Sequence, residues 1–436
     1  MRANSLVGLM RCLSGEHQLN ANDSETAPRP LDNVTVLDLT TALAGPYATF
    51  VLASLGARVI KIENPLGPDS CRGNAPYLGR FGLGLVRKDA DDISVSALNR
   101  LRNKEAITLN LKHPEAREIY SDLLRKADMV VDNFSRGTLD RIGAGYEFAR
   151  QINPRIIYCS ITGFGNQGEP GTGKAMDAII QALSGVMMTS GSPNDPPVRV
   201  GVPFADLNAA LFGVIGLLAA LHQAARTGRG QNIDISMLGV MTSMVACEPF
   251  DILERCGVAQ RTGQMVPRLA PFGIYPTKDG FIAICAHTEA FAANLFKEME
   301  RPDLCQDERF QTRDDRVHNA AELNLLVEQF TRSIDTATAI SRLDAAGVPA
   351  AEVRNPAAAM RDPQVLARGE IVPLAHPKYG VGGEVLGTGL PISFSESITG
   401  HYKAAPTVGQ DNQAIYGDLL GYSSERIREL TANKVI

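Results

Sequence analysis

Apolar and polar positions alternate in blocks along the chain, and the blocks read in turn as strands and helices. Residues 34–39, Val-Thr-Val-Leu-Asp-Leu, make a short apolar run with β-branched residues, a strand pattern. Ala44-Gly45-Pro46 breaks it. Pro46 suits the first turn of a helix predicted over 47–55, and Gly56 closes that helix. Residues 58–62, Arg-Val-Ile-Lys-Ile, are the next strand. Strand, Gly-Pro turn, helix, glycine and strand make a βαβ unit, which predicts a parallel sheet with a right-handed crossover. Residues 64–92 are rich in Gly, Pro, Asp and Arg and read as a long loop. Further strands are predicted at 107–111, 129–131 and 156–161, with a helix over 114–126. This alternation predicts an α/β fold with a Rossmann-like, doubly wound large domain.

The stretch 198–230 organises the rest. Val198, Val200 and Val202 alternate like a short strand, and Pro203 ends it. Asp206 then stands ahead of a run, 207–226, that is apolar on nearly every face; Leu211, Val214, Ile215, Leu218 and Leu221 fall at helical spacing. A helix apolar all round is predicted to be buried. Gly228 is a natural C-terminal cap. Asp206 is thereby expected at a helix N-terminus, where the dipole keeps a carboxylate ionised. Two roles fit the position: an N-cap and a catalytic carboxylate.

Beyond Gly230, a strand at 232–235 and a helix from Met237 are predicted. Residues 272–275 and 281–285 read as a hairpin around Gly280, followed by helices at 289–300, 320–333 and 336–345. An amphipathic helix is expected over 424–432. The domains expected are a large one from 31–240 with 365–436, a smaller α+β one at 260–355, linkers at 241–259 and 356–364, and a disordered tail at 1–30. Arg2 and Arg11 with little acid leave organelle targeting of that tail open.

The net charge of −5 gives no reason to expect a nucleic-acid partner. The longest apolar run, 209–221, is too short to span a bilayer and is bounded by Asn208 and His222, so no membrane partner is expected. Cysteines 12, 71, 159, 247, 256, 285 and 305 are widely spaced with no Cys-x-x-Cys. They predict free thiols in a reducing compartment, the cytoplasm or, for a eukaryotic source, the mitochondrial matrix. The histidines show no ligand spacing, so no metal is expected.

Two glycine motifs mislead. Gly163-Phe-Gly165-Asn-Gln-Gly168 matches a dinucleotide fingerprint, but the loop continues where a helix must open. Gly168 to Lys174 matches a phosphate loop, but Ala175 replaces the Ser or Thr that would hold magnesium.

A set of motifs occurs in order over about 31–436: Leu37-Asp-Leu-Thr with Ala44-Gly45-Pro46; Leu55-Gly-Ala-Arg-Val-Ile-Lys-Ile-Glu63; Leu109-Asn-Leu-Lys112; Asp132-Asn133-Phe134-Ser-Arg-Gly137; Ile152-Asn-Pro154; Ser160-Ile-Thr-Gly-Phe-Gly165; Gly201 to Asp206; Thr227-Gly-Arg-Gly230; and Thr407-Val-Gly-Gln410. In these the chain resembles the family III CoA-transferases, the group that also holds the α-methylacyl-CoA racemases. The resemblance implies an interlocked homodimer, coenzyme A or acyl-CoA as substrate with a free carboxylic acid as the other, and Asp206 as nucleophile. It also implies CoA contacts at Leu43, Ala44, Asn64, Leu109, Lys112, Asn133, Phe134, Ser135, Arg141, Lys174 and Asp177. Cations at Lys112, Arg141 and Lys174 suit the phosphates of CoA.

Departures narrow the substrate. Formyl-CoA transferases carry His-Val-Gln where this chain has Thr41-Ala42-Leu43, Arg where it has Asn64, and four glycines before a Gln where it has only Gly263-Gln264. Dicarboxylate transferases of the succinyl-CoA type are nearer. The implied mechanism is an aspartyl–acyl anhydride followed by an aspartyl-CoA thioester. The alternatives are a 2-methylacyl-CoA racemase and an inactive CoA-binding protein. The racemases place a His before the Asp that precedes Ala-Leu-Ser-Gly; here Met176 precedes Asp177 and Ala182-Leu-Ser-Gly185, and methionine relays no proton.

Overall fold

The computed structural model describes residues 28–168, 174–401 and 403–436. The expected tail at 1–30 lies outside them but for its last three residues, as does most of the phosphate-loop look-alike. The chain divides into two compact units, one of 1–184, 201–244 and 360–436, the other of 185–200 and 245–359. Residues 185–200 thus join the smaller unit, whereas the sequence reading kept them in the large domain.

The larger unit is built on six parallel strands: β1 (Thr35–Asp38), β2 (Arg58–Glu63), β3 (Lys104–Thr108), β4 (Met129–Asp132), β5 (Ile157–Thr162) and β6 (Asn232–Ser236). Their spatial order is β3-β2-β1-β4-β5-β6. Helix α1 (Ala44–Ser54) joins β1 to β2, α2 (Val95–Arg100) precedes β3, and α3 (Ala116–Arg125) links β3 to β4. The strand order reverses between β1 and β4. In open sheets of this kind the crevice beyond the carboxyl ends of those two strands is where ligands bind. One face of the sheet is filled by Ile60, Ile107, Val130 and Tyr158, packed under α3 and α6 (Ser424–Ala432), with Val435 and Ile436 sealing the edge.

Strand β3 lies three residues earlier than predicted. Lys104 and Glu105 discourage a strand reading, yet Lys104 is fully buried against Asp38 and Glu105 pairs with Arg58. The predicted strand over 198–202 does not form. Val198 and Val202 are exposed and have no neighbouring strand to pair with.

Two helices stand before β6: α4 (Asp177–Leu183) and α5 (Phe204–Thr227). Helix α5 lies on β5 and β6 through glycines; a Cβ at Gly213 would stand 3.1 Å from Ile161 and one at Gly216 3.0 Å from Ile233. Gly228 caps it with φ 70°, as the sequence predicts. The expectation that α5 is buried all round does not hold within this chain. Ala209, Ala210, Gly213, Val214 and Leu217 are buried, while Leu211, Phe212 and Ile215 are exposed. Its 24 residues are long and apolar enough to cross a membrane by length and composition alone, which the shorter run 209–221 does not suggest. Packing on the sheet accounts for the apolar residues of its inner face.

The smaller unit carries the predicted hairpin, β7 (Phe272–Pro276) and β8 (Phe281–Cys285), antiparallel with Phe272 opposite Cys285; β9 (Ala350–Glu352) adds to it. Helices Glu289–Glu298, Ala320–Arg332 and Thr336–Ala345 close its own core around Tyr275, Ile284, Phe296 and Leu323.

Candidate active site

The loop after β1 is held by a buried charge network. Asp38, the last residue of β1, accepts from Thr40 N at 2.9 Å, Thr49 Oγ1 at 2.6 Å and Lys104 Nζ at 2.9 Å. Lys61 Nζ lies 3.5 Å from Asp38 and 3.0 Å from Asp69, and donates to the Thr40 carbonyl. Two carboxylates and two ammonium groups balance. Burial pushes the Asp38 carboxyl up, but Lys104 and Lys61 outweigh it and hold it well below the usual carboxylate range. Lys61 is held above its ordinary value: burial acts against its charge, and Asp38 and Asp69 overcome that.

This network fixes the backbone of the loop. Asp69 accepts from Ala42 N at 2.9 Å. Ala42 sits in the left-handed region at φ 68°, a strained place for a side chain with a Cβ. Arg100, the last residue of α2, donates from Nη1 to the Ala42 carbonyl at 2.9 Å. Asn133, just past β4, clamps the loop across the crevice: its Oδ1 accepts from Thr41 N and its Nδ2 donates to the Thr41 carbonyl, both at 2.8 Å. Gly45 is needed because a Cβ there would stand 2.3 Å from Thr40. No side chain caps the start of α1, and Pro46 has no N–H. The first N–H groups of α1 are thus left without a side-chain acceptor, at a helix start that favours negative charge.

Asp206 is the third residue of α5 and makes no cap hydrogen bond; Pro203 is the N-cap. Of the two roles the sequence leaves open for Asp206, the N-cap is not the one it takes in this helix. The acceptor comes from another element. Asp177, at the start of α4, accepts from Ala205 N at 2.9 Å and Asp206 N at 3.4 Å, and from Gln181 Nε2 at 2.8 Å. Gln181 also reaches the Val202 carbonyl at 3.3 Å. With Asp177 in that role, the start of α5 does not depend on the Asp206 carboxyl for an acceptor. Burial and the like charge of Asp177 push its pKa up to about 6, against the pull of Arg100. The helix end does not hold it at a low value, but at pH 7 the carboxylate still prevails by about tenfold.

The carboxyl edge of the sheet gathers most of the residues expected to meet CoA. Leu43 and Ala44 follow β1, Asn64 follows β2, Leu109 and Lys112 follow β3, and Asn133, Phe134, Ser135 and Arg141 follow β4. Their side chains differ in what they offer. Leu109 is buried in the core and Ala44 is buried at the start of α1, so both present only backbone. Asn64 is exposed and accepts from Leu66 N at 3.0 Å within its own turn. Asp177 is committed to α5. Lys112, Arg141 and Lys174 are exposed, and none makes an ion pair among the described residues. Phe134 and Ser135 border a cavity of about 180 Å³ also lined by Asp132, Tyr158 and Ser160. Asp132 accepts from Ser160 Oγ at 2.7 Å and Phe134 N at 3.0 Å, and burial pushes its pKa up to about 6.

Sequence reasoning missed Arg100, Asp69 and the paired lysines. Charged residues at 38, 61 and 104 inside strands otherwise apolar were the available signal. The glycine loop 163–168 is no phosphate cradle: Asn166 N and Gln167 N donate to Asp234, a carboxylate already standing where an anion would bind. Among the described residues no group of three or more His, Cys, Asp or Glu is placed to hold a metal ion.

Residues 31–412 match the CoA-transferase family III. A succinyl-CoA–D-citramalate CoA-transferase of Chloroflexus aurantiacus is 34% identical over 417 residues, spanning 95% of this chain and 100% of the relative. A human succinyl-CoA:glutarate CoA-transferase is 32% identical over 410 residues, 94% of this chain and 90% of the relative. A CaiB/BaiF family protein from Brucella suis, known from its crystal structure, superposes with a TM-score of 0.77 at 33% identity, covering 90% of this chain and 100% of that one. With the match running from β1 past the carboxyl-edge loops and Asp206 to both units, the chain belongs to the CoA-transferase family III.

Proposed function

We propose that this protein moves CoA from a dicarboxylic acyl-CoA, of the succinyl-CoA type, to a second dicarboxylic acid, with Asp206 as the covalent carrier. The relatives above, named for succinyl-CoA with citramalate or glutarate, support the substrate class. The observation that carries the mechanism is the state of Asp206: in the first turn of α5, part-buried, relieved of capping by Asp177, and with a pKa near neutrality.

In this mechanism Asp206 Oδ attacks the thioester carbonyl. The C–S bond breaks, CoA leaves as a thiolate, and an aspartyl–acyl anhydride remains. The thiolate attacks the aspartyl carbonyl of the anhydride and expels the donor carboxylate, leaving an aspartyl-CoA thioester. The acceptor carboxylate then runs the two steps in reverse. Open N–H groups at the start of α1 stabilise the oxyanions. Exposed Lys112, Arg141 and Lys174 supply unpaired charge for the CoA phosphates.

The exposed apolar strip of Leu211, Phe212 and Ile215 on α5, with Ile179 and Leu183 on α4, supports a homodimer in which a second copy covers it. The described cysteines form no disulfide with one another, which supports a reducing, cytoplasmic setting. No observation favours the racemase reading.

The test is Asp206→Asn. It keeps the shape and removes the nucleophile, so CoA binding is expected to persist while transfer falls by several orders of magnitude. Wild-type protein incubated with succinyl-CoA and quenched with hydroxylamine is expected to carry a hydroxamate on the peptide holding Asp206. Near-normal turnover by Asp206→Asn sinks the proposal.

A further inference from the structure

We propose that Arg100 determines substrate specificity by receiving the second, non-reacting carboxylate of a short dicarboxylic acid whose first carboxylate reacts at Asp206. The proposal rests on the reading of Asp206 as the carrier and adds the residue that selects the acid.

Three cations near the β1 loop are matched by carboxylates. Lys61 and Lys104 are balanced by Asp38 and Asp69. Arg72 is held by Glu63, from Nε at 2.9 Å and Nη2 at 2.7 Å. Arg102 is turned to Asn99 and the Thr388 carbonyl and lies over the Phe50 ring. Arg100 differs. It is part-buried, it makes no ion pair among the described residues, and the bond it has is Nη1 to the Ala42 carbonyl. That carbonyl belongs to a residue held in the left-handed region, so a strained loop fixes one corner of the guanidinium and leaves the rest of its fork open. Burial works against the Arg100 charge, and Asp69 and Asp206 offset this only without direct pairing, so an anion that pairs with the guanidinium directly is favoured.

Position gives the anion its identity. Arg100 sits beside the loop that leads into α1, and its charge reaches Asp206 without an ion pair between them. Helix α1, which that loop leads into, packs against α5, so a carboxylate reacting at Asp206 lies in the field of that cation. A planar guanidinium edge takes a carboxylate in two parallel hydrogen bonds. A diacid satisfies both ends of the site. A monoacid of the same length leaves the guanidinium unpaired, the circumstance in which polar sites discriminate most strongly.

The experiment isolates the acceptor half-reaction. Wild type, Arg100→Gln and Arg100→Lys are loaded with CoA from succinyl-CoA, freed of donor, and discharged with glutarate or with pentanoate, the same chain lacking the second carboxylate. Arg100→Gln is expected to slow discharge by subsaturating glutarate on the order of 10- to 150-fold. Discharge by pentanoate is expected to fall much less, so the glutarate-to-pentanoate ratio drops sharply, because charge-assisted contacts to the acid are lost only for the diacid. Arg100→Lys is expected to fall between, keeping the charge but not the fork. Equal slowing of both acids overturns the proposal, since Arg100 then acts only on Asp206; so does undiminished discharge by glutarate. Should Arg100→Gln fail to fold, an unchanged glutarate-to-pentanoate ratio in Arg100→Lys overturns it equally. Failure of wild type to acquire a CoA-linked Asp206 strikes instead at the carrier reading.

Discussion

At the scale of the residue, the Asp206 carboxyl is poised by opposing neighbours. Burial and Asp177 raise its pKa to about 6, and Arg100 opposes them. The nucleophile must be ionised, so the rate of CoA transfer is expected to rise through a limb near pH 6 and level off above it. Stability carries the same signature with the opposite sign. The folded pKa lies above the unfolded value of about 3.9. The folded state therefore holds the proton more tightly, and wild type loses stability as pH rises from about 4 through 6. Asp206→Asn does not titrate. It is expected to match wild type near pH 4 and to exceed it by ~1–3 kcal/mol at pH 7.5, read from urea unfolding at the two pH values. Equal stability at both would mean the carboxyl is not destabilised by burial.

At the scale of the element, α4 and the buried network do the positioning. Asp177 both caps α5 and raises the pKa of Asp206. Asp177→Asn keeps an acceptor at the helix end but removes the like charge. The acid limb of the pH–rate profile is expected to move to lower pH with little loss of stability. Asp177→Ala also loses the cap and is expected to cost about 0.5–2 kcal/mol in denaturant unfolding. The network under the β1 loop invites a harsher change. Lys61→Met leaves Asp69 without a cation and Asp38 with only Lys104. Removing one partner from a buried set costs about 3–5 kcal/mol, so a large fall in melting temperature is expected. A melting temperature near that of wild type would show the network to be dispensable.

At the scale of the whole molecule, α5 presents apolar side chains on both sides. One side lies on β5 and β6; the other exposes Leu211 at 43%, Phe212 at 41% and Ile215 at 62%. Wild type is expected to be a dimer by light scattering at micromolar concentration, and Ile215→Asp to weaken or abolish it, because burying an unpaired carboxylate in an apolar interface is unfavourable. A wild-type monomer under those conditions would leave the exposed strip without its proposed partner.

Much of the fold was legible in the chain because local rules and tertiary structure agree there. Val-rich runs separated by Gly-Pro turns became parallel strands, Gly228 ended α5, and the hairpin around Gly280 closed as its turn residues require. Asp206 was legible as a carboxylate at a helix start, and the ordered motifs pointed to the family. What the sequence could not decide was what its polar residues do across space. Lys104 reads as a surface residue until Asp38, sixty-six positions away, is set beside it. Asp206 reads as a cap or a catalytic carboxylate alike until Asp177 is found holding that helix end. Val198 to Val202 reads as a strand, but a strand needs a neighbour, and the described residues offer it none. Periodicity along the chain reports which faces are apolar. Only the tertiary structure decides which charges meet, and here those meetings set the loop after β1, the ionisation of Asp206 and the open guanidinium of Arg100.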